Sequence, residues 1–338
     1  MYDFCTYFDH RYLSRGLALY RSLENHCHSF RLFVLCMDRK CYQILADYNL
    51  ANIELISLDR FEQGDVKLQQ AKQNRSLIEY YFTCTPSLPL YIFKHHPKVN
   101  FITYLDADLY FFADPSEIFE EIGDNSVAII AHRFPPHQQY REMHGKYNVG
   151  CLFFRRDKNG MSCLRWYREK CNEWCYDKVE NDRYADQKYL DYFPSKFEGV
   201  VELRHKGANL APWNIDNYKL TIKKGKIYVD EKPLVFFHFH DLKKLFGFVY
   251  DSAFFVYKAE FTEFIRQNIY LPYLKELTQM DRDVQQRIVT LTKDVDGEMT
   301  RIRSAETVRP TAIHPIFAKA LRIFRSLSRK TFILWHGN

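Results

Sequence analysis

Along the first 240 residues, short apolar runs alternate with stretches in which apolar side chains recur every three or four positions. The runs 31–36 (RLFVLC), 52–58 (NIELISL), 100–107 (NFITYLDA), 126–131 (SVAIIA) and 148–154 (NVGCLFF) are nearly continuous in apolar residues, as expected of strands covered on both faces. Between them, 11–26, 39–49 and 160–179 carry the helical period. This alternation predicts an α/β domain with a mostly parallel sheet. The segment 219–230 (KLTIKKGKIYVD) differs: two alternating stretches flank a Lys-Gly turn, which predicts an antiparallel hairpin near the sheet's edge.

The strand signal stops near residue 245. Residues 261–280 read as helix with a break at Pro272, and 280–306 as a polar helix or linker. The division expected is therefore a 1–245 domain and a 246–338 helical C-terminal extension. Its end, about 313–335, is a basic amphipathic helix: Ile316, Phe317, Ala320, Leu321, Ile323, Phe324 and Leu327 form an apolar stripe opposite Lys319, Arg322, Arg325 and Arg329. Such a helix suits an anionic membrane surface, and it would equally pack its stripe on the domain.

Charge sharpens this division. The net charge is +6, yet the residues from Arg301 onward carry a surplus of seven positive charges, which leaves residues 1–300 at minus one. A neutral body argues against a nucleic-acid-binding surface. No run of about 18 apolar residues is present to span a bilayer, and the opening MYDFCTYFDH has no basic region followed by an apolar run. The cytosol, with the inner face of the membrane as a peripheral site, is the location these features predict. Nine cysteines, odd in number and without a CxxC pair, read as buried thiols.

Candidate chemistry begins at FITYLDADLYFFADP (101–115). Two carboxylates, Asp106 and Asp108, close an apolar run, and unpartnered burial of such groups is costly. Two further Asp-x-Asp triplets, at 281–283 and 294–296, lie in polar helical sequence and read as solvated charge, so context carries the argument. In an open α/β sheet, ligands sit beyond the carboxyl ends of strands, where 106–108 would fall. Hard divalent cations take carboxylate oxygens there and complete their shell with phosphate oxygens, which points to a nucleotide or nucleotide-sugar. In PLVFFHFHDLKK (233–244), His238 and His240 share one face of a strand, and an imidazole would suit manganese better than magnesium. Lys243 and Lys244 could neutralise a diphosphate. Asn148 and Gly150 enter a strand, where an amide can bond a sugar hydroxyl and a glycine permits close approach. Asp186 and Gln187 start a helix. Taken singly, each of these also has an ordinary structural reading.

In their order these blocks resemble a GT-A type glycosyltransferase, most closely the retaining glycosyltransferase family 8: FCTYFDHRYLSRGLALYRSL, YLDADLYFFADP, YNVGCLFF, ADQKYL and VFFHFH, over roughly residues 2–245. The resemblance implies a Rossmann-like mixed, mostly parallel sheet flanked by helices, and hexose transfer from a UDP-sugar with manganese or magnesium as cofactor. The acceptor implied is a glycan, glycolipid or other saccharide. Carried over by motif, Asp106, Asp108 and His238 would bind the metal. Thr6, Tyr7 and Asp9 fall where uracil and ribose are held, Arg75 at a donor-contacting basic position, and the Asp106-Ala107-Asp108 triplet, Asn148 and Gly150 along the donor. Asp186 and Gln187 match the pair beside the anomeric carbon. Asp241 replaces the family's glycine in HFHDLKK, which leaves open whether Lys243 or Lys244 meets the diphosphate. Three alternatives stand beside this reading: an inverting GT-A transferase with Asp186 as base, a sugar-1-phosphate nucleotidylyltransferase, which would want a glycine-rich phosphate loop that CTYFDHRYLSRG lacks, and a non-catalytic scaffold or lectin-like module.

Overall fold

The computed structural model describes residues 1–295 and 331–335. Its centre is a seven-stranded sheet in the order β3-β2-β1-β4-β7-β6-β8, formed by β1 (Tyr2–Phe8), β2 (Phe30–Cys36), β3 (Ile53–Ser57), β4 (Phe101–Leu105), β6 (Val127–Ala131), β7 (Tyr147–Arg155) and β8 (Val200–Glu202). The pairs β1–β2, β2–β3, β1–β4 and β6–β8 are parallel, whereas β7 runs antiparallel to both β4 and β6. The expected runs are the strands of this sheet, within one or two residues at each end.

The apolar runs are continuous because both faces are covered. In β2, Leu32 and Val34 join one buried cluster with the helix Leu13–His26, while Phe33 and Leu35 join the opposite one with the helices Leu77–His95 and Lys158–Glu173. Each such side chain contributes about 1.5–3 kcal/mol by leaving water. The helix expected over 160–179 stops at Glu173, whose neighbour Trp174 turns extended.

The long helix Leu77–His95 has no counterpart among the expected elements. Pro86 and Pro89 lie inside it and remove two backbone donors, a pattern that normally marks a break. A capping box between Ser76 and Glu79 starts it, and burial of Cys84, Leu88, Ile92 and Phe93 carries it past the prolines.

The hairpin over 219–230 forms, as β9 (Leu220–Lys223) and β10 (Lys226–Val229), with Lys224 and Gly225 both at positive φ in the turn. It lies in a separate three-stranded sheet with β11 (Lys232–Pro233). A further two-stranded pairing joins β5 (Leu109–Phe111) to β12 (Phe236–His238).

Beyond residue 245 the strands do not stop. In β13 (Lys243–Phe246), β14 (Val249–Asp251) and β15 (Phe332–Leu334) a third sheet forms, with β14 in the middle. Phe332–Leu334 are thus a strand, where an amphipathic helix was expected through 335. The rest of that helix, 313–330, and the end of the 280–306 segment beyond residue 295 lie outside the described residues. Pro272 does not end its helix: Glu263–Ile265, a π turn over Arg266–Tyr270 and Leu271–Val295 are contiguous, and the wider π turn lies just before the proline, where its ring and missing N–H would disturb an α turn.

Candidate functional site

Strand pairing builds the core of the site. Asp106 and Asp108 follow the carboxyl end of β4, and β5 begins at Leu109. Because β12 runs antiparallel to β5 with His238 opposite Leu109, the imidazole is delivered to the aspartates. The Phe239 amide donates to the Asp108 carbonyl (3.0 Å), and the Asp106 amide to the Gly150 carbonyl (2.9 Å). His238 Nε2 then stands 3.1 Å from Asp108 Oδ1 and 3.7 Å from Asp106 Oδ2. One donor atom each from Asp108, His238 and His240 lies within 4.8 Å of the other two.

The electrostatics reflect this crowding. Burial pushes the Asp106 carboxyl up to about 6 although His238 opposes it, and the Tyr104 hydroxyl donates to its Oδ1 (2.7 Å). Burial would also raise Asp108, yet His238 outweighs it and holds the carboxyl well below the usual range. Burial disfavours protonation of His238, but the charges of Asp108 and Asp106 prevail and raise its pKa. A carboxylate-rich group with two imidazoles fits a divalent cation of borderline softness.

Around this cluster lies a cavity of about 520 Å³ whose wall includes Tyr7, Asn148, Asp186 and Gln187 with Asp106, Asp108 and His238. Tyr7 hydroxyl and Thr85 Oγ1 are 3.0 Å apart. Asn148 accepts the Gly150 amide (3.1 Å) on Oδ1, and its Nδ2 reaches His132 Nε2 (3.2 Å) and Gln187 Oε1 (3.5 Å). Burial holds the His132 pKa down at about 3, so the ring is neutral; Nδ1–H donates to the Lys146 carbonyl (3.0 Å) and leaves Nε2 to accept from Asn148. Gln187 Nε2 donates to the His144 carbonyl (3.0 Å). Asp186 is buried, its Oδ2 has no hydrogen-bond partner, and burial raises its pKa to about 7, with the Asp106 charge adding to the shift. It makes no capping bond to the turn it precedes.

Other candidates stand elsewhere. Thr6 and Asp9 are buried and do not line the cavity, and Asp9 accepts from the Arg11 amide (2.9 Å) and Arg11 Nε (2.8 Å). Arg75 donates to Thr83 Oγ1 (2.9 Å) and the Asn172 carbonyl (2.8 Å), which ties two helices together outside the cavity. The space left by Gly150 is filled by protein: a Cβ there would meet His238 Cε1 at 2.7 Å. Ala107 is a buried link between the two aspartates. Lys243 is 2.6 Å from Asp241, and Lys244 Nζ lies over the Tyr250 ring at 5.8 Å; neither lines the cavity. Asp241 adopts φ 58°, so it keeps the left-handed conformation that a glycine would take most easily.

Residues absent from the sequence reading complete the wall: Tyr12, His132, Arg141, Trp213 and Tyr257. Trp213 is buried with its Nε1–H unpartnered, and its ring contacts those of His132, His238 and His240. No local pattern marks these residues, because they converge from short helical turns and loops far apart in the chain.

No family model matches the chain. The WbbM bifunctional glycosyltransferase superposes with a TM-score of 0.52 at 13% identity, over 85% of this chain and 51% of that one, so this chain spans about half its length. The galactosyltransferase LgtC, solved with donor and acceptor sugar analogs, gives a TM-score of 0.49 at 17% identity over 72% of this chain and 89% of that one. The fold is therefore of the GT-A type, a mixed, mostly parallel sheet flanked by helices. In sequence, the chain is 31% identical to the uncharacterized protein YfnD of Bacillus subtilis over 290 residues, 84% of this chain and 91% of that protein. YfnF of the same organism is 32% identical over 244 residues, 70% and 80% of the two chains. The chain belongs to the family of these two Bacillus subtilis proteins.

Proposed function

We propose that the protein is a metal-dependent glycosyltransferase of family 8 type, which moves a hexose from a UDP-sugar to a glycan or lipid-linked saccharide with retention of configuration. The observation that carries this reading is the convergence of Asp108, His238 and His240, with Asp106 3.7 Å from His238, on a cavity also walled by Asn148, Asp186 and Gln187. It also rests on the GT-A fold.

In this reading Asp106, Asp108 and His238 hold manganese or magnesium, with His240 beside them. When bound, the cation offsets the negative charge that builds on the diphosphate as the bond to the sugar breaks. Tyr7 borders the nucleoside end. The Asn148 and Gln187 amides, already hydrogen-bonded to each other and to the backbone, hold sugar hydroxyls in a fixed orientation. Gln187 cannot remove a proton, in keeping with a retaining route. The raised pKa and unpartnered oxygen of Asp186 favour a second reading, in which this carboxylate is the acceptor's base and configuration inverts. The anomeric configuration of the product, read by NMR, separates the two.

The test is calorimetric titration of UDP into the protein with manganese and with a chelator, repeated on Asp106→Asn. UDP should bind with metal and weaken by at least about tenfold with the chelator or in the variant, the scale of losing one charge-assisted contact. UDP binding that ignores metal and Asp106, or no binding at all, would return the protein to the scaffold reading.

A further inference from the structure

A groove of about 790 Å³ lies between the segment Phe61–Lys67 and the helices Leu77–His95 and Lys158–Glu173. The helix Leu77–His95 connects the two regions: Ile78 and Phe82 near its start line the cavity, whereas Ser87, Tyr91 and Lys94 line the groove. The two share no lining residue, and at 1.5 Å per residue the lining positions on this helix are separated by about 7.5 Å (Phe82 to Ser87) to about 24 Å (Ile78 to Lys94) along the axis. The groove is therefore separate from the candidate active site.

Three features of it point to a ligand. Lys67, Lys94 and Arg165 are exposed on its sides, and none has an ion-pair or hydrogen-bond partner among the described residues. Its other charges are an Arg168–Asp65 pair (2.5 Å), Glu169, and Arg156, which donates to the Pro97 carbonyl (2.8 Å). Positive charge thus remains in surplus. Next, Tyr91 and His95 form an aromatic shelf, with ring centroids 4.3 Å apart, backed by the buried Phe61 at 5.5 Å from Tyr91. Lastly, Ser87 is only 4% exposed, yet its hydroxyl has no hydrogen-bond partner. A serine inside a helix ordinarily bonds back to its own turn, and a buried hydroxyl without a partner costs about 1–3 kcal/mol.

We propose that this groove binds an anionic saccharide segment, a chain of sugar rings bearing carboxylate or phosphate groups. Spaced cations match spaced anions, the aromatic shelf takes the apolar face of a sugar ring, and Ser87 gains its missing partner from a ring hydroxyl. The site is concave and combines polar with aromatic groups, which suits a chain entering it better than the plane of a lipid surface.

The experiment is calorimetric titration of the whole chain with an oligogalacturonate of defined length, with inorganic polyphosphate and with uncharged dextran. Oligogalacturonate should bind, weaken as salt is raised, and lose at least about tenfold in affinity in a Lys67→Glu, Lys94→Glu, Arg165→Glu variant. Ser87→Ala should lose about threefold. UDP binding at the separate cavity should not change in the triple variant, so failure here is distinguishable from failure of the glycosyltransferase reading. Equal binding of dextran, or oligogalacturonate binding untouched by the triple substitution, overturns the site. Polyphosphate binding as tightly as oligogalacturonate, with no effect of Ser87→Ala, overturns recognition of the sugar.

Discussion

Among single residues, Asp186 carries the plainest stability cost, a buried carboxyl with one oxygen unpartnered. Its carboxyl is held at about 7 against an ordinary 3.8, chiefly by burial. The folded state therefore keeps a proton that the unfolded chain loses, and stability falls as pH rises from about 4 to about 7, with the penalty complete above that range. The full shift would correspond to at most about 4 kcal/mol. Asp186→Asn, which cannot ionise, should gain thermal stability over the parent as pH rises through this window, with little difference at about pH 4 and the largest difference at about pH 8. Thermal midpoints of both proteins across that range check it. A stability difference that is flat in pH would mean that the carboxyl is paired rather than stranded. The sequence marks Asp186 as an acid at a helix start, which would be solvated and cap the turn; the structure buries it without a capping bond. Residue type was legible there and environment was not, because the groups beside Asp186, Tyr7 and Thr85 among them, come from parts of the chain about 100 or more positions away.

At the scale of elements, the legible parts are those whose burial pattern is local. Strands β2, β4, β6 and β7 announce themselves as apolar runs, since both faces are covered. The β5–β12 ladder is different: three residues on each side, about 125 positions apart in sequence, give no periodic signal, yet they bring His238 to Asp106 and Asp108. The helix Leu77–His95 is hidden for the opposite reason, because its prolines speak against what its capping box and buried face enforce. Gly207 offers a test of the ladder's role. The Val235 and Phe236 amides donate to its carbonyl (2.8 and 3.2 Å), and a Cβ at Gly207 would sit 1.8 Å from the Pro233 carbonyl oxygen. Backbone must shift to admit it, at the entry to β12. Gly207→Ala should therefore cost about 1–3 kcal/mol and displace His238 from the aspartates. Manganese binding, followed by calorimetry on the folded variant, should weaken together with the urea midpoint. A midpoint that falls while metal affinity holds would show that the ladder tolerates the shift without moving the imidazole.

Across the whole molecule, the division into an α/β body and a helical extension hides a closing contact. The main sheet is built from residues 2–202, whereas the third sheet brings Phe332–Leu334 back to Val249–Asp251. Ile333 is fully buried in a cluster with Phe239, Tyr270 and Tyr273, and Trp335 Nε1 donates to Thr278 Oγ1 (2.9 Å) on the long helix. The same cluster holds Phe237 and Phe239, which flank His238, so the returning strand braces the side of β12 that faces away from the cavity. Sequence reading placed Phe332 and Ile333 at the end of an amphipathic helix because apolar residues next to basic ones satisfy that pattern, and only pairing with β14 decides otherwise. Ile333→Ala removes buried methyl groups from this junction and should cost about 2–4 kcal/mol. The loss should appear as a lower urea midpoint, and UDP affinity with manganese should stay within about twofold at temperatures where the variant remains folded, since Ile333 lies behind the cluster rather than on the cavity wall. A tenfold loss of UDP affinity in a folded Ile333→Ala variant would instead mean that the C-terminal strand sets the position of His238, and that the two parts of the chain act as one unit in binding.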